Sequence, residues 1–223
     1  MMTTPPTTSS PTTEPAAQPI LRGWTHVVAF LVALPAGIVL LLRADTALTR
    51  AAAAIYATSI LLSFGTSAAY HRLARSPRAR AIMQRLDHSM IYLLIAGTYV
   101  PTCLVGLPLR WGIPLLAVVG VGAVTGVVLK LAAFHRVQWL SYSLYLVIGW
   151  AAIGALPGMI WYLPTTPFLL IIGGGALYTL GFPVLLLKRP DPWPRMFGYH
   201  EVWHVLTVLA ATLHFVAVAM LVT

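Results

Sequence analysis

The chain has 223 residues, of which 59% are hydrophobic and only 9% charged, and its net charge is +9. A soluble domain carries about 25% charged residues, so a water-soluble globular enzyme, a disordered chain and a coiled coil are excluded, and a polytopic membrane protein is indicated. A membrane-spanning helix uses about 20 apolar residues, so about seven of them fill the length and leave no room for a separate soluble domain.

Residues 1–20, MMTTPPTTSSPTTEPAAQPI, are rich in Thr, Pro and Ser and carry one charge, Glu14. Such a segment cannot bury apolar surface, and it is predicted to be a disordered tail. It has neither the basic start nor the apolar centre of a signal peptide. Apolar stretches and polar breaks then alternate, with spans predicted near 25–42, 52–71, 87–107, 112–133, 139–158, 164–187 and 201–222. The fifth and sixth are the least regular, because Pro157, Pro164 and Pro167 punctuate their join and Gly173-Gly174-Gly175 weakens the sixth. The predicted fold is all-α and integral to the membrane, with one seven-helix domain over 21–223 and no internal repeat. The single cysteine, Cys103, excludes an intrachain disulfide.

The basic residues set the orientation. Alternate segments carry Arg22; Arg72, Arg75, Arg78, Arg80 and Arg85; Lys130 and Arg136; and Lys188, Arg189 and Arg195, which makes 11 on one side against Arg43, Arg50 and Arg110 on the other. The positive-inside rule then places the N-terminus in the cytoplasm and, with seven spans, the C-terminus outside. Spread over four short segments, these charges read as a topology signal rather than a nucleic-acid surface. The Arg72–Arg85 group also suits anionic lipid head groups. Membrane lipids are the expected partners, and the cell membrane the expected location.

Ionisable residues within or at the edge of spans are expensive to bury and point to function. The second span ends SFGTSAAYH, which puts Ser67 and His71 four apart on one helix face. The third begins RLDHS with Asp87, and the seventh begins GYHEVWH with His200 and His204, again four apart. The topology brings His71, Asp87, His200 and His204 to one depth at the cytoplasmic edge from three separate spans. Three imidazoles suit zinc, and three protein ligands leave a fourth position for water, as in catalytic sites. Zinc lowers the pKa of such a water, and Asp87 is placed to take its proton. Taken singly, Asp87 also reads as a helix N-cap and Glu201 as a first-turn acid favoured by the helix dipole. His26, His88 and His135 read as interfacial residues. His214 lies ten residues past His204, about 15 Å deeper at the helical rise, where it suits a hydrogen bond to another span or a cavity wall. HEVWH is also a literal H-E-x-x-H, which would make Glu201 the base of an intramembrane metalloprotease. That reading leaves Ser67, His71 and Asp87 without roles.

The three-part pattern of Ser67-x3-His71, RLDHS and His200-x3-His204 resembles the hemolysin III family, the bacterial branch of the progestin and adipoQ receptor superfamily. RGWTH at 22–26, AGTYVP at 96–101 and GYHEVWH at 198–204 are similar to segments of that family. The resemblance implies seven helices and a zinc ion near the cytoplasmic face held by His71, His200 and His204. It implies that Asp87 approaches the zinc through water and that Ser67 stands one turn from the first ligand. Alkaline ceramidases of the wider superfamily have a similar arrangement, which makes hydrolysis of a lipid amide or ester the expected chemistry. The competing expectation is a membrane homeostasis sensor, or a channel-like or cytolytic protein, in which zinc is structural and pins spans two, three and seven together.

Overall fold

A computed structural model describes residues 18–136 and 138–223. The predicted tail lies outside the described residues as far as residue 17. Its last residue is docked: the Ile20 amide donates to the Arg195 carbonyl, and the amide of the following Leu21 to the Met196 carbonyl, each at 3.1 Å.

The described residues form eight α-helices: α1 (Trp24–Arg43), α2 (Ala47–Leu73), α3 (Pro77–Pro101), α4 (Leu109–Ala133), α5 (Gln138–Gly149), α6 (Leu156–Tyr162), α7 (Thr165–Leu187) and α8 (Tyr199–Val222). A π-helical turn, Thr102–Gly106, extends α3, and a 3-10 turn, Ala151–Ala155, joins α5 to α6. The result is seven helical spans long and apolar enough to cross a membrane.

Local chemistry sets several ends. Thr46 and Thr49 exchange side-chain and backbone hydrogen bonds at 3.0 Å, a capping box at the start of α2. Ser76 accepts from the Ala79 amide at 3.1 Å, and Pro77 follows at the first helical position of α3. The α2–α3 link is therefore only residues 74–76, and the two helices form a tight antiparallel hairpin. Because α3 starts at Pro77, Asp87 lies ten residues inside it and is not a helix N-cap. Arg78, Arg80 and Arg85 belong to the same helix rather than to a loop.

Of the two spans expected to be least regular, only the fifth is broken. The sixth runs unbroken through Gly173-Gly174-Gly175. A glycine costs a helix about 1 kcal/mol relative to Ala, but in lipid an unmade backbone hydrogen bond costs several kcal/mol, so the helix persists. Gly174 is also sterically required, since a Cβ there would overlap the His214 imidazole of α8.

Polarity is inverted relative to a soluble protein. His26, Lys130, Glu201, His204 and His214 are buried, while Leu31, Val32, Val121, Val124 and Leu180 are each at least 60% exposed. That outward apolar surface suits lipid, not water. Helix α8 is central, packing on α7, α1, α2 and α3. Its Ala211 and Val218 join Ala29, Leu40, Tyr56, Ile60, Phe64 and Leu94 in the main apolar core. The fifth span packs on α3 and α4 but meets α7 chiefly through side chains. The Trp150 indole N–H, for example, donates to the Thr179 hydroxyl at 2.8 Å. Space between these elements forms the principal cavity.

Candidate metal centre

His71 occupies the last turn of α2, and His200 and His204 the first turns of α8. The packing of these helices brings one ring nitrogen of each within 4.8 Å of the others. The Nε2 atoms of His71 and His200 are 3.2 Å apart. Two nitrogens bound tetrahedrally at 2.0–2.1 Å from a zinc ion are separated by about 3.3 Å, so the spacing fits that donor set. One N–H···N bond can satisfy His71 and His200 together, but it does nothing for His204, whose Nδ1 is buried without a partner. Three convergent imidazoles, one of them unsatisfied, are suited to a cation. The sequence-predicted triad is thus assembled.

Residues 20–26 hold the triad from outside. Gly23 has φ +82°, which a residue with a Cβ rarely adopts, and a Cβ there would come 2.5 Å from the His71 Cβ. Arg22 forms an ion pair with Glu201 of α8. Glu201 is fully buried and also accepts the Gly198 amide at 2.8 Å. The Arg72 guanidinium lies 4.8 Å from the Trp24 ring centroid, a cation–π contact that ties α1 to α2. The His26 ring stacks on His204 with centroids 3.8 Å apart, and its Nε2 is 3.2 Å from the Thr207 hydroxyl. One short segment therefore fixes both helices that carry the ligands. Glu201 is committed to Arg22 and Gly198, so the H-E-x-x-H pattern has no free general base.

Two members of the triad, His200 and His204, open into a cavity of about 150 Å³. Ser67 and Asp87 line it with His200 and His204, and the Ser67 hydroxyl lies beside the Asp87 carboxyl. Among the described residues Asp87 is the only carboxylate on the wall. Phe182 and Leu185 of α7 line this polar end as well, and beyond it the lining turns apolar and aromatic, with Leu94, Ile95, Leu146 and Tyr178. At the far end His214 reaches the wall and its Nε2 bonds the Ile171 carbonyl at 3.1 Å. It is remote from the triad, as its sequence position indicated. The arrangement can hold a cation and a proton acceptor at one end and a hydrocarbon chain along the rest.

Several polar residues were not identified from sequence. His26 and His88, read as interfacial, both line the cavity, whereas His135 lies on the exposed loop after α4. Lys130, counted with the loop charges, is 0% exposed. Its Nζ has no hydrogen-bond partner and lies 4.6 to 5.7 Å from the ring centroids of Phe134, Tyr142 and Tyr145. A desolvated cation–π contact contributes about 2 kcal/mol. Removing an ion from water costs several kcal/mol even after relaxation. The aromatic box alone therefore does not balance the charge. The signal in the sequence was a lysine inside the apolar run GVVLKLAAF rather than after it.

Comparison with known proteins agrees with this architecture. The family described as "Haemolysin-III related" matches residues 16–215. The chain is 31% identical to "Hemolysin-3" of Bacillus cereus over 204 residues, covering 89% of each. It is 32% identical to "Hemolysin-3 homolog" of Bacillus subtilis (strain 168) over 188 residues, covering 83% of this chain and 85% of the relative. With seven spans and a family match over nearly its whole length, this chain is a multi-pass cell-membrane protein and belongs to the hemolysin III family.

Proposed function

We propose that the protein is a zinc-dependent membrane hydrolase acting on an amide or ester within a lipid. The observation that carries the reading is the junction of two environments. Of three imidazoles within 4.8 Å of one another, those of His200 and His204 line a cavity together with Ser67 and Asp87, and that cavity continues as an apolar slot. His71, His200 and His204 would hold the ion, which when bound supplies Lewis-acid polarisation and a water of lowered pKa. Asp87 accepts the proton of the attacking water and returns it to the leaving group. The Ser67 hydroxyl orients the Asp87 carboxylate. The apolar walls seat the acyl chain and keep bulk water from the reacting carbonyl. Asp87 on the shared wall favours a working ion over a purely structural one, because a closed structural site needs no proton acceptor.

The same reading places the site at the cytoplasmic face. Without the buried Lys130, the basic residues still divide ten to three in favour of the end that carries the histidines. Membrane lipids would then be both surroundings and substrate.

Metal analysis of full-length protein in detergent, beside His71→Ala and His200→Ala, tests the centre. About one zinc per chain, lost in both variants, is expected for a three-histidine site. A wild-type protein that neither carries nor takes up zinc would overturn it. Turnover of lipid amides and esters, compared between wild type and Asp87→Ala, tests the chemistry. Full turnover without Asp87 would reject the proton-transfer role.

A further inference from the structure

A second polar cluster lies at the opposite wall of the cavity, where α3, α4 and α5 meet, with His88 on the wall and Lys130 and Ser141 buried behind it. Its buried atoms without hydrogen-bond partners are His88 Nδ1, Lys130 Nζ and Ser141 Oγ, one from each helix. His88 and Lys130 are contiguous through the aromatic box, and Ser141 directly precedes Tyr142 of that box on α5. The His88 ring lies 5.1 Å from Phe134 and 6.3 Å from Tyr142, centroid to centroid, and both of those rings flank the Lys130 amine. Tyr145 closes the cluster by donating to the His88 carbonyl at 2.7 Å. All three unpartnered groups can donate a hydrogen bond, and no carboxylate lies within ion-pair distance of Lys130 among the described residues.

Convergent donors around a buried amine are the chemical complement of an anionic oxygen group. His88, Tyr142 and Tyr145 also line the principal cavity, so a single ring separates the amine from the space beside Asp87. The lysine amine sits on a flexible four-carbon stem, and a rotamer change would be needed to bring it past that ring. Among the described residues the Tyr142 side chain has one hydrogen bond, at its hydroxyl, which accepts from the Gln138 amide at 3.0 Å on the exposed edge. We propose that Lys130, with His88 and Ser141, forms an anion subsite of the cavity, and that the cavity's ligand is an amphiphile carrying an acidic oxygen group. Asp87 repels that group and Lys130 attracts it, so the two charges together set where the head lies. The inference concerns binding alone, and it stands whether or not the histidine cluster carries a metal or the protein hydrolyses its ligand.

The test uses full-length protein in neutral detergent, titrated with myristate and with myristyl alcohol. The readout is fluorescence of the cavity residues Trp150 and Trp203. A hydrogen bond to a charged group makes the expected preference for myristate about tenfold or more. Lys130→Met should reduce myristate binding to the level of the alcohol, Lys130→Arg should keep most of the preference, and Ser141→Ala should lower it a few-fold. Equal affinity for the two probes in wild-type protein would overturn the proposal and show the lysine uncharged or inaccessible. A preference that survives Lys130→Met would also overturn it, by placing the anion contact elsewhere. If Lys130→Met does not fold, the wild-type comparison with Ser141→Ala decides. Acetate and inorganic phosphate form the last arm. If either alone binds as tightly as myristate, the subsite serves a free anion and the amphiphile is rejected. Myristate preference without any lipid turnover would leave this subsite intact while rejecting the hydrolase.

Discussion

The two walls of the cavity are both polar and both buried, yet they are built from opposite chemistry. On the α2–α8 wall, three imidazole nitrogens point together, and the nearest pair are 3.2 Å apart. Lone pairs gathered in this way are suited to a cation. On the α3–α4–α5 wall, an amine, an imidazole and a hydroxyl are gathered, each able to donate, with no carboxylate among them. Donors gathered in this way are suited to an anion. The support differs as well. The histidine wall is buttressed from outside by residues 20–26, through the Arg22–Glu201 pair and the His26–His204 stack. The lysine wall is held by aromatic packing and by hydrogen bonds to backbone carbonyls, from Tyr92, Tyr145 and, beside Lys130, from Arg85 to Leu131. A metal site requires fixed ligand geometry, whereas an anion subsite works with a mobile lysine head.

Substitutions can break this contrast, and removal of a ligand has the largest expected effect. His71→Ala or His200→Ala should lower metal affinity by more than about 100-fold, since loss of an outer-shell partner alone costs about 10- to 100-fold. Metal content and turnover should fall together. Asp87→Ala should separate them, keeping the metal by mass spectrometry while turnover falls about 10²- to 10⁴-fold, the usual contribution of a positioned acid or base.

Arg22→Ala leaves Glu201 buried and unpaired, and breaking a buried pair in this way costs about 3–5 kcal/mol. A thermal unfolding scan in detergent should show the loss. Glu201→Gln should be milder, because it removes the charge and keeps an acceptor for the Gly198 amide. Gly23→Ala imposes a left-handed backbone on a residue with a Cβ, at about 1–2 kcal/mol. The new methyl group also presses on His71, so weakened metal binding should accompany the modest loss of stability. Lys130→Met has the smallest expected cost and the opposite sign. Replacing a buried charge by an apolar side chain is commonly neutral or stabilising. Its unfolding midpoint should hold or rise, with metal content unchanged.

The sequence by itself determined the seven spans, because lipid forces each apolar stretch to satisfy its own backbone hydrogen bonds as helix. It also determined the triad. The i, i+4 pair His200/His204 is local, and the antiparallel alternation of spans brings the end of α2, with His71, to the level of that pair, whereas Asp87, ten residues inside α3, stands deeper, beside Ser67. The remainder rests on contacts between residues remote in the chain. Arg22 and Glu201 are 179 residues apart, and His26 and Thr207 are 181 apart. No local periodicity records such pairings, so Glu201 read as a first-turn acid and His26 as an interfacial histidine. Lys130 read as a loop charge for the same reason. Its place near the end of a span gave its level, but only the packing of α3, α4 and α5 decided that its head turns inward among aromatic rings. Depth in the membrane follows from position along one helix and is legible in sequence; which neighbour a side chain meets at that depth depends on helix rotation and packing, and only the tertiary structure decided it.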